Sequence, residues 1–193
     1  LGASGLYRII DPSTGTVSFT TRPEAQLSTS STENALATTS FTADDVMTYG
    51  IEAAGVYGPA SLQGEYMLAD VNRPSGSEPT YDGWYVEGSY FLTGESRNYE
   101  ASKGVFGRVK PINPFTSKGG YGAWAVMARY SDTDLNDAGL NGGQMKNATF
   151  GLRWIPNDYT IISANYISVN TDTNAVVSDD DPDIFVFRAQ VDF

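Results

Sequence analysis

The 193 residues include 23 acidic and 12 basic side chains, a net charge of -11, and 40% hydrophobic residues, with 12 Tyr and 20 Gly but neither His nor Cys. Such acidity repels phosphate backbones and excludes nucleic acid as a partner. The missing His and Cys remove the commonest general base, the commonest metal ligand, thiolates and disulfides, so neither an enzyme nor a cofactor or metal site is expected.

No run approaches the roughly 18 to 20 apolar residues of a membrane-spanning helix, which leaves strands as the only way across a bilayer. The opening "LGASGLYRII" has neither the basic start nor the apolar stretch of a signal peptide. The expectation is that a leader has been removed or that the chain starts inside a longer protein. Period-2 alternation then recurs between clusters of Gly, Pro, Asn, Asp and Ser. It predicts eight strands in one region spanning 1–193, at 17–27, 47–57, 60–71, 82–94, 121–133, 146–156, 159–169 and 183–193.

Each strand has one apolar row and one row that a soluble core would reject, and each middle strand carries a charge on its less apolar row. In 82–94, Trp84, Val86, Gly88, Tyr90 and Leu92 oppose Tyr85, Glu87, Ser89, Phe91 and Thr93. In 121–133, Trp124, Val126, Ala128 and Tyr130 oppose Ala125, Met127, Arg129 and Ser131. Alternation alone leaves a soluble sandwich and a membrane barrel equally open. Two features favour the barrel. The connections alternate between tight ("YGPAS", "IPNDY") and long (28–46, 72–81, 134–145 and 170–182). Aromatics such as Tyr57, Trp84, Tyr130, Trp154, Tyr159 and Phe193 also fall near strand ends, where an interfacial girdle sits.

The last strand, "DIFVFRAQVDF", places Phe185, Phe187, Ala189, Val191 and Phe193 on one side. A final Phe preceded by alternate apolar residues resembles the assembly signal of bacterial outer-membrane barrels, with Phe185, Phe187, Val191 and Phe193 as its members. The segments "YGIEAAGVYGPASLQGEYMLADVNR" (49–73), "DGWYVEGSYFLTGESRNYEASKGVFGRVKPINPF" (82–115) and "KNATFGLRWIPNDYTIISANYI" (146–167) narrow the likeness. With the terminal Phe they resemble the C-terminal half of the phosphate-selective porin O/P family. The resemblance covers about 17–193 and is most specific at "TGESRNY" and "KPINPF".

That resemblance implies an all-β, transmembrane antiparallel β-barrel. About eight strands would lie here as the C-terminal half of a sixteen-stranded porin barrel. The function implied is an outer-membrane porin of Gram-negative bacteria, a water-filled channel for passive diffusion of small anions, phosphate or polyphosphate among them. It further implies a homotrimer, insertion by the barrel assembly machinery, contact with outer-membrane lipid and lipopolysaccharide, and a periplasmic C-terminus. The inward-folded constricting loop and most selectivity residues would lie outside this sequence. The alternative is a self-contained eight-stranded structural or adhesive barrel that does not conduct.

If the apolar rows face lipid, the pore-lining candidates are Arg22, Glu24, Gln26, Glu52, Gln63, Glu65, Glu87, Arg129, Arg153 and Arg188. The four Arg balance the four Glu, which leaves two readings open: fixed charges that steer solutes, or pairs that stiffen the wall. Arg129, Arg153 and Arg188 fall on three of the last four strands and form a candidate positive stripe. The stretch 95–120 is a basic segment on the periplasmic side, carrying Arg97, Lys103, Arg108, Lys110 and Lys118 against Glu95 and Glu100. It is expected to form a positive collar, with a further short strand or a fold into the pore mouth as the alternatives. Asp132, Asp134 and Asp137, and Asp179, Asp180, Asp181 and Asp183, are assigned to extracellular loops that bridge divalent ions and lipopolysaccharide.

Overall fold

A computed structural model of the chain describes residues 1–11, 15–25, 34–100, 104–116, 119–172, 174–175 and 181–192. Runs rich in Val, Ile, Tyr, Phe and Trp form the long strands, since β-branched and aromatic side chains pack well on a pleated surface. In chain order the strands are β1 (Gly2–Ile9), β2 (Thr16–Val17), β3 (Thr20–Thr21), β4 (Leu36–Ala37), β5 (Phe41–Thr42), β6 (Asp45–Tyr57) and β7 (Ala60–Asn72). They continue with β8 (Thr80–Phe91), β9 (Tyr99–Glu100), β10 (Val105–Phe106), β11 (Ala123–Asp137), β12 (Leu140–Asn157), β13 (Thr160–Thr171) and β14 (Asp183–Val191).

Eight of these make one antiparallel sheet in the order β1-β6-β7-β8-β11-β12-β13-β14, while β2–β5 and β9–β10 pair only with one another. The sheet is a meander in which β1 and β14 are the two edges, and among the described residues neither edge pairs with the other.

Two parts of the sequence reading need correction. The segment 17–27 is no wall strand. Pro23 cannot donate to a ladder, and Val17 and Phe19 instead turn into a small core with Phe41 and Tyr81. The first wall strand is β1, whose Gly2, Ser4 and Gly5 blur the alternation and which pairs only with β6. The expected loop 134–145 is mostly strand. β11 and β12 form one long hairpin closed by Ala138 and Gly139, whose φ values of 54° and 78° are those of a two-residue hairpin turn.

Two segments of this chain pack on one face of the sheet. Residues 15–25 and 34–44 lie over one end. There Leu36 is fully buried among Val46, Val71, Tyr81, Leu135, Met145 and Ile167. The close approach depends on Gly143, where a Cβ would come within 2.6 Å of Ala175 Cα and 2.8 Å of Leu36. Of segment 92–122, residues 92–100, 104–116 and 119–122 lie over the other end, where Val109 packs on Phe91, Ala123, Ala125 and Ile155. Glu95, 3% exposed, anchors this segment by accepting hydrogen bonds from the Ile112 N–H at 3.0 Å and from the Thr93 hydroxyl.

The opposite face of the sheet is bare. Tyr49, Ile51, Tyr57, Leu62, Tyr66, Trp84, Val86, Tyr90, Val126, Tyr130, Phe150, Leu152, Phe185, Phe187 and Val191 are all exposed there. The band is bounded by aromatics at both ends. Trp84 meets Tyr130 at 5.7 Å near the long connections, and Trp124 stacks on Trp154 at 5.5 Å near the tight turns. From Trp124 to Tyr130 along β11 is about 20 Å at roughly 3.3 Å per residue.

Candidate functional site

Between its two packed ends, the covered face carries the charges, and strand register decides which of them meet. One row runs Gln63, Glu87, Arg129, Thr149 across β7, β8, β11 and β12. Another, nearer the tight turns, runs Phe91, Ala125, Arg153, Ser163, Arg188 across β8, β11, β12, β13 and β14.

Arg129 is the hub of the first row. Its Nε donates to Glu24 Oε1 at 2.6 Å, its Nη1 lies 3.6 Å from Glu87, and its guanidinium covers the Tyr85 ring at 3.7 Å. Glu24 also accepts from the hydroxyls of Ser131, at 2.7 Å, and Thr149. Two carboxylates therefore offset this arginine, and one of them belongs to the inward segment rather than the wall. Gln63 Nε2 donates to Glu87 at 3.4 Å, and Arg97 from segment 92–122 approaches the same carboxylate at 3.8 Å.

The second row contains two arginines and no acid. Arg188 is exposed and donates to Gln190 at 2.9 Å. The Nε of Arg153 is shielded from solvent and has no hydrogen-bond partner. Arg97 reaches toward Arg153 from above. Burial pulls the Arg97 pKa down and the nearby charge of Arg153 adds to that, against the opposing pull of Glu87. An arginine remains charged at any physiological pH nonetheless.

Arg22 and Glu24, expected on a wall strand, lie on the inward segment, where Arg22 Nε donates to Asn34 at 3.2 Å. With Thr48, Tyr81, Tyr85, Arg129 and Asn147 they line a cavity of about 330 Å³. Glu52 and Glu65 face each other across β6 and β7, in the row of Tyr85 and Ser131 that adjoins the row of Glu87 and Arg129. Of the basic segment, Arg108 donates from Nη1 to the Asp158 carbonyl at 2.6 Å and pairs with Asp192, while Lys110 lies 3.6 Å from Asp158. Arg108 and Lys110 of this collar are therefore bound to neighbouring acids. Phe185, Phe187 and Val191 are on the bare face; Gln26, Lys103, Lys118, Asp179, Asp180 and Phe193 lie outside the described residues.

Sequence reasoning missed Tyr85, Ser131 and Thr149 as partners of the charges. Their parity matched that of Glu87 and Arg129, a signal that was available without the structure.

At the long-connection end, Asp172 just after β13 holds a clasp. It accepts from the backbone N–H of Gln144 at 3.0 Å and from the Asn136 amide at 2.8 Å. Burial tends to raise the Asp172 pKa, but these bonds and those from Asn174 hold it below the usual carboxylate range.

The family model for "Phosphate-selective porin O and P" matches residues 1–193. An uncharacterized protein of Caulobacter vibrioides is 34% identical over 167 residues, covering 86% of this chain and 33% of that protein. Porin O of Pseudomonas aeruginosa is 33% identical over 162 residues, covering 77% of this chain and 36% of its own length. The chain thus spans about a third of the length of the curated relatives it matches.

Proposed function

The chain belongs to the phosphate-selective porin O and P family, and from that premise we propose that it forms one wall of a water-filled outer-membrane channel through which small anions diffuse passively. The observation that carries this reading is the division of the sheet. The bare face between its two aromatic levels has no Asp, Glu, Lys or Arg among the described residues, while Glu87, Arg129, Arg153 and Arg188 share the other face.

An apolar surface this large would be untenable in water but matches the hydrocarbon core, where a misplaced Arg costs about 2 to 4 kcal/mol at mid-membrane. The two open edges support a barrel completed by strands beyond these residues, rather than an eight-stranded barrel closed on itself. The arginine row supports anions as the solutes, with phosphate and polyphosphate drawn from the family description. Arg153 and Arg188 would provide an uncompensated positive strip, whereas Arg129 is offset by Glu24 and Glu87.

The remaining roles belong to the same proposal. Lipid covers the bare face, and lipopolysaccharide with its divalent cations meets Asp82, Asp132 and Asp134 at the extracellular end. The assembly machinery reads Phe185, Phe187 and Val191, the C-terminus is periplasmic, and the subunit works as a trimer.

Reversal potentials of the full-length protein in planar bilayers test the reading. The expected result is anion preference, lowered by Arg188→Gln and by Arg153→Gln and less affected by Arg129→Gln. Cation preference in the unaltered protein, or an anion preference indifferent to Arg153 and Arg188, would refute it.

A further inference from the structure

Segment 92–122 does not stay on the covered face. Glu95 still holds the Ile112 N–H there, at 3.0 Å. Three residues later the Phe115 N–H donates to the Pro156 carbonyl at 2.8 Å, and the Phe115 ring stands edge-on to Trp154 on the bare face, 5.5 Å between centroids. Three residues reach at most about 11 Å, so the chain crosses the rim of the sheet beside the tight turn between β12 and β13 with no slack. The return is fixed as firmly. The Tyr121 carbonyl accepts the indole N–H of Trp124 at 3.0 Å and that of Trp154 at 2.8 Å. Gly122 follows with a φ of 72°, where a Cβ would fall 2.6 Å from the Ile155 carbonyl oxygen.

A tryptophan at a membrane boundary ordinarily finds its acceptor in water or a headgroup. Here the segment supplies one acceptor to both indoles. Phe115 and Tyr121 remain 57% and 52% exposed, and the Tyr121 hydroxyl accepts from the Asn113 amide at 3.2 Å. Neither ring belongs to a wall strand, yet both adjoin the bare band where Trp124 and Trp154 bound it. We propose that residues 112–116 and 119–122 are a membrane anchor for segment 92–122, with Phe115 and Tyr121 entering the headgroup–acyl boundary of the leaflet at the tight-turn end. The inference rests on the bare face meeting lipid, because Phe115 shares that face with Trp154. A lipid surface fits these groups because the exposed rings continue the band without a break, and an aromatic body with a polar tip partitions to that boundary. Glu95 carries the anchor to the other side of the wall, since its carboxylate joins Ile112 to Thr93. Lipid contact on one face thereby holds Arg97 and Phe106 in place on the other.

Spin labels at Thr116, beside the retained Phe115, and at Tyr99, which lies by Glu52 and Tyr85 on the covered face, test the placement in the full-length protein in phosphatidylcholine bilayers. A nickel chelate carried on lipid headgroups should relax the Thr116 label several-fold more strongly than the Tyr99 label, which should respond to soluble nickel alone. A third label at Leu152 separates the two claims. Oxygen contact at Leu152 with only soluble nickel at Thr116 overturns the anchor and leaves the lipid-facing wall standing. Loss of oxygen contact at Leu152 removes the wall reading and the anchor with it. Hydrogen exchange in the same bilayers tests the coupling. Phe115→Ser should raise local opening of residues 95–100 and 104–112 about tenfold, whereas Phe115→Leu, apolar but with no ring to set against Trp154, should stay within about twofold of the unaltered protein. Opening unchanged in Phe115→Ser, or raised equally in both variants, overturns the coupling.

Discussion

Replacing Glu24 by Gln removes the charge that holds the inward residues 15–25 to the wall, with little change in shape. The carboxylate accepts three bonds, from Arg129, Ser131 and Thr149, and the amide oxygen can keep only part of that set. A charge-assisted hydrogen bond is worth about 1.5 to 3 kcal/mol. The two side chains are 15% and 27% exposed, which places the loss toward the lower half of that range, about 2 kcal/mol. At 1.4 kcal/mol per factor of ten, the open population of the segment rises about 30-fold.

Limited proteolysis of the full-length protein in detergent reads that population directly when opening is fast relative to cleavage. Cleavage within 15–25 should accelerate by about that factor, and the Glu24→Gln/Arg129→Gln cycle should show a coupling of at least about 1 kcal/mol. A change below about threefold, or strictly additive costs, would show that the Glu24–Arg129 contact does not hold the segment in place.

Gly143→Ala forces a side chain into a positive-φ position against Ala175 and Leu36, so the packing of 34–38 on β12 should weaken by about 2 kcal/mol or more, seen as faster hydrogen exchange there. Glu95→Ala leaves the Ile112 N–H and the Thr93 hydroxyl without their shared acceptor, and protease sensitivity within 104–116 should rise about tenfold or more with residues 45–91 unaffected. The Asp172 clasp should depend on pH. Because its folded pKa is lowered, its contribution is complete above the ordinary aspartate range and is lost as pH falls through the folded value. The Gln144 amide shift in NMR should follow that transition at low pH, and Asp172→Asn should show no such transition.

How much of this was readable from the chain depends on how local each feature is. Alternation placed β8, β11, β12 and β14 and sorted their faces, because a side chain's face follows from parity alone. It failed at 17–27, where the apolar residues fill a core under a loop, and Pro23 was the signal against a wall strand. It failed again at 134–145, where β11 and β12 run beyond the apolar band and only the Ala138–Gly139 turn marks the hairpin. The charged rows were half legible. Parity put Glu87, Arg129, Arg153 and Arg188 together, but balanced totals concealed that register separates a compensated Arg129 from the acid-free row of Arg153 and Arg188. The Glu24–Arg129 contact joins residues 105 apart, a distance no local pattern encodes.

The central claim is that the bare face meets lipid and the covered face meets water. These residues contain no cysteine, so single cysteines can carry spin labels without interference from this part of the chain. In the full-length protein reconstituted into bilayers, labels at Phe150, Leu152, Phe185 and Phe187 should relax with lipid-dissolved oxygen. Labels at Arg188 and Gln190 should relax with a water-soluble nickel complex. Oxygen and nickel accessibilities that fail to alternate along β14, or nickel contact at Phe150 and Leu152, would contradict the account.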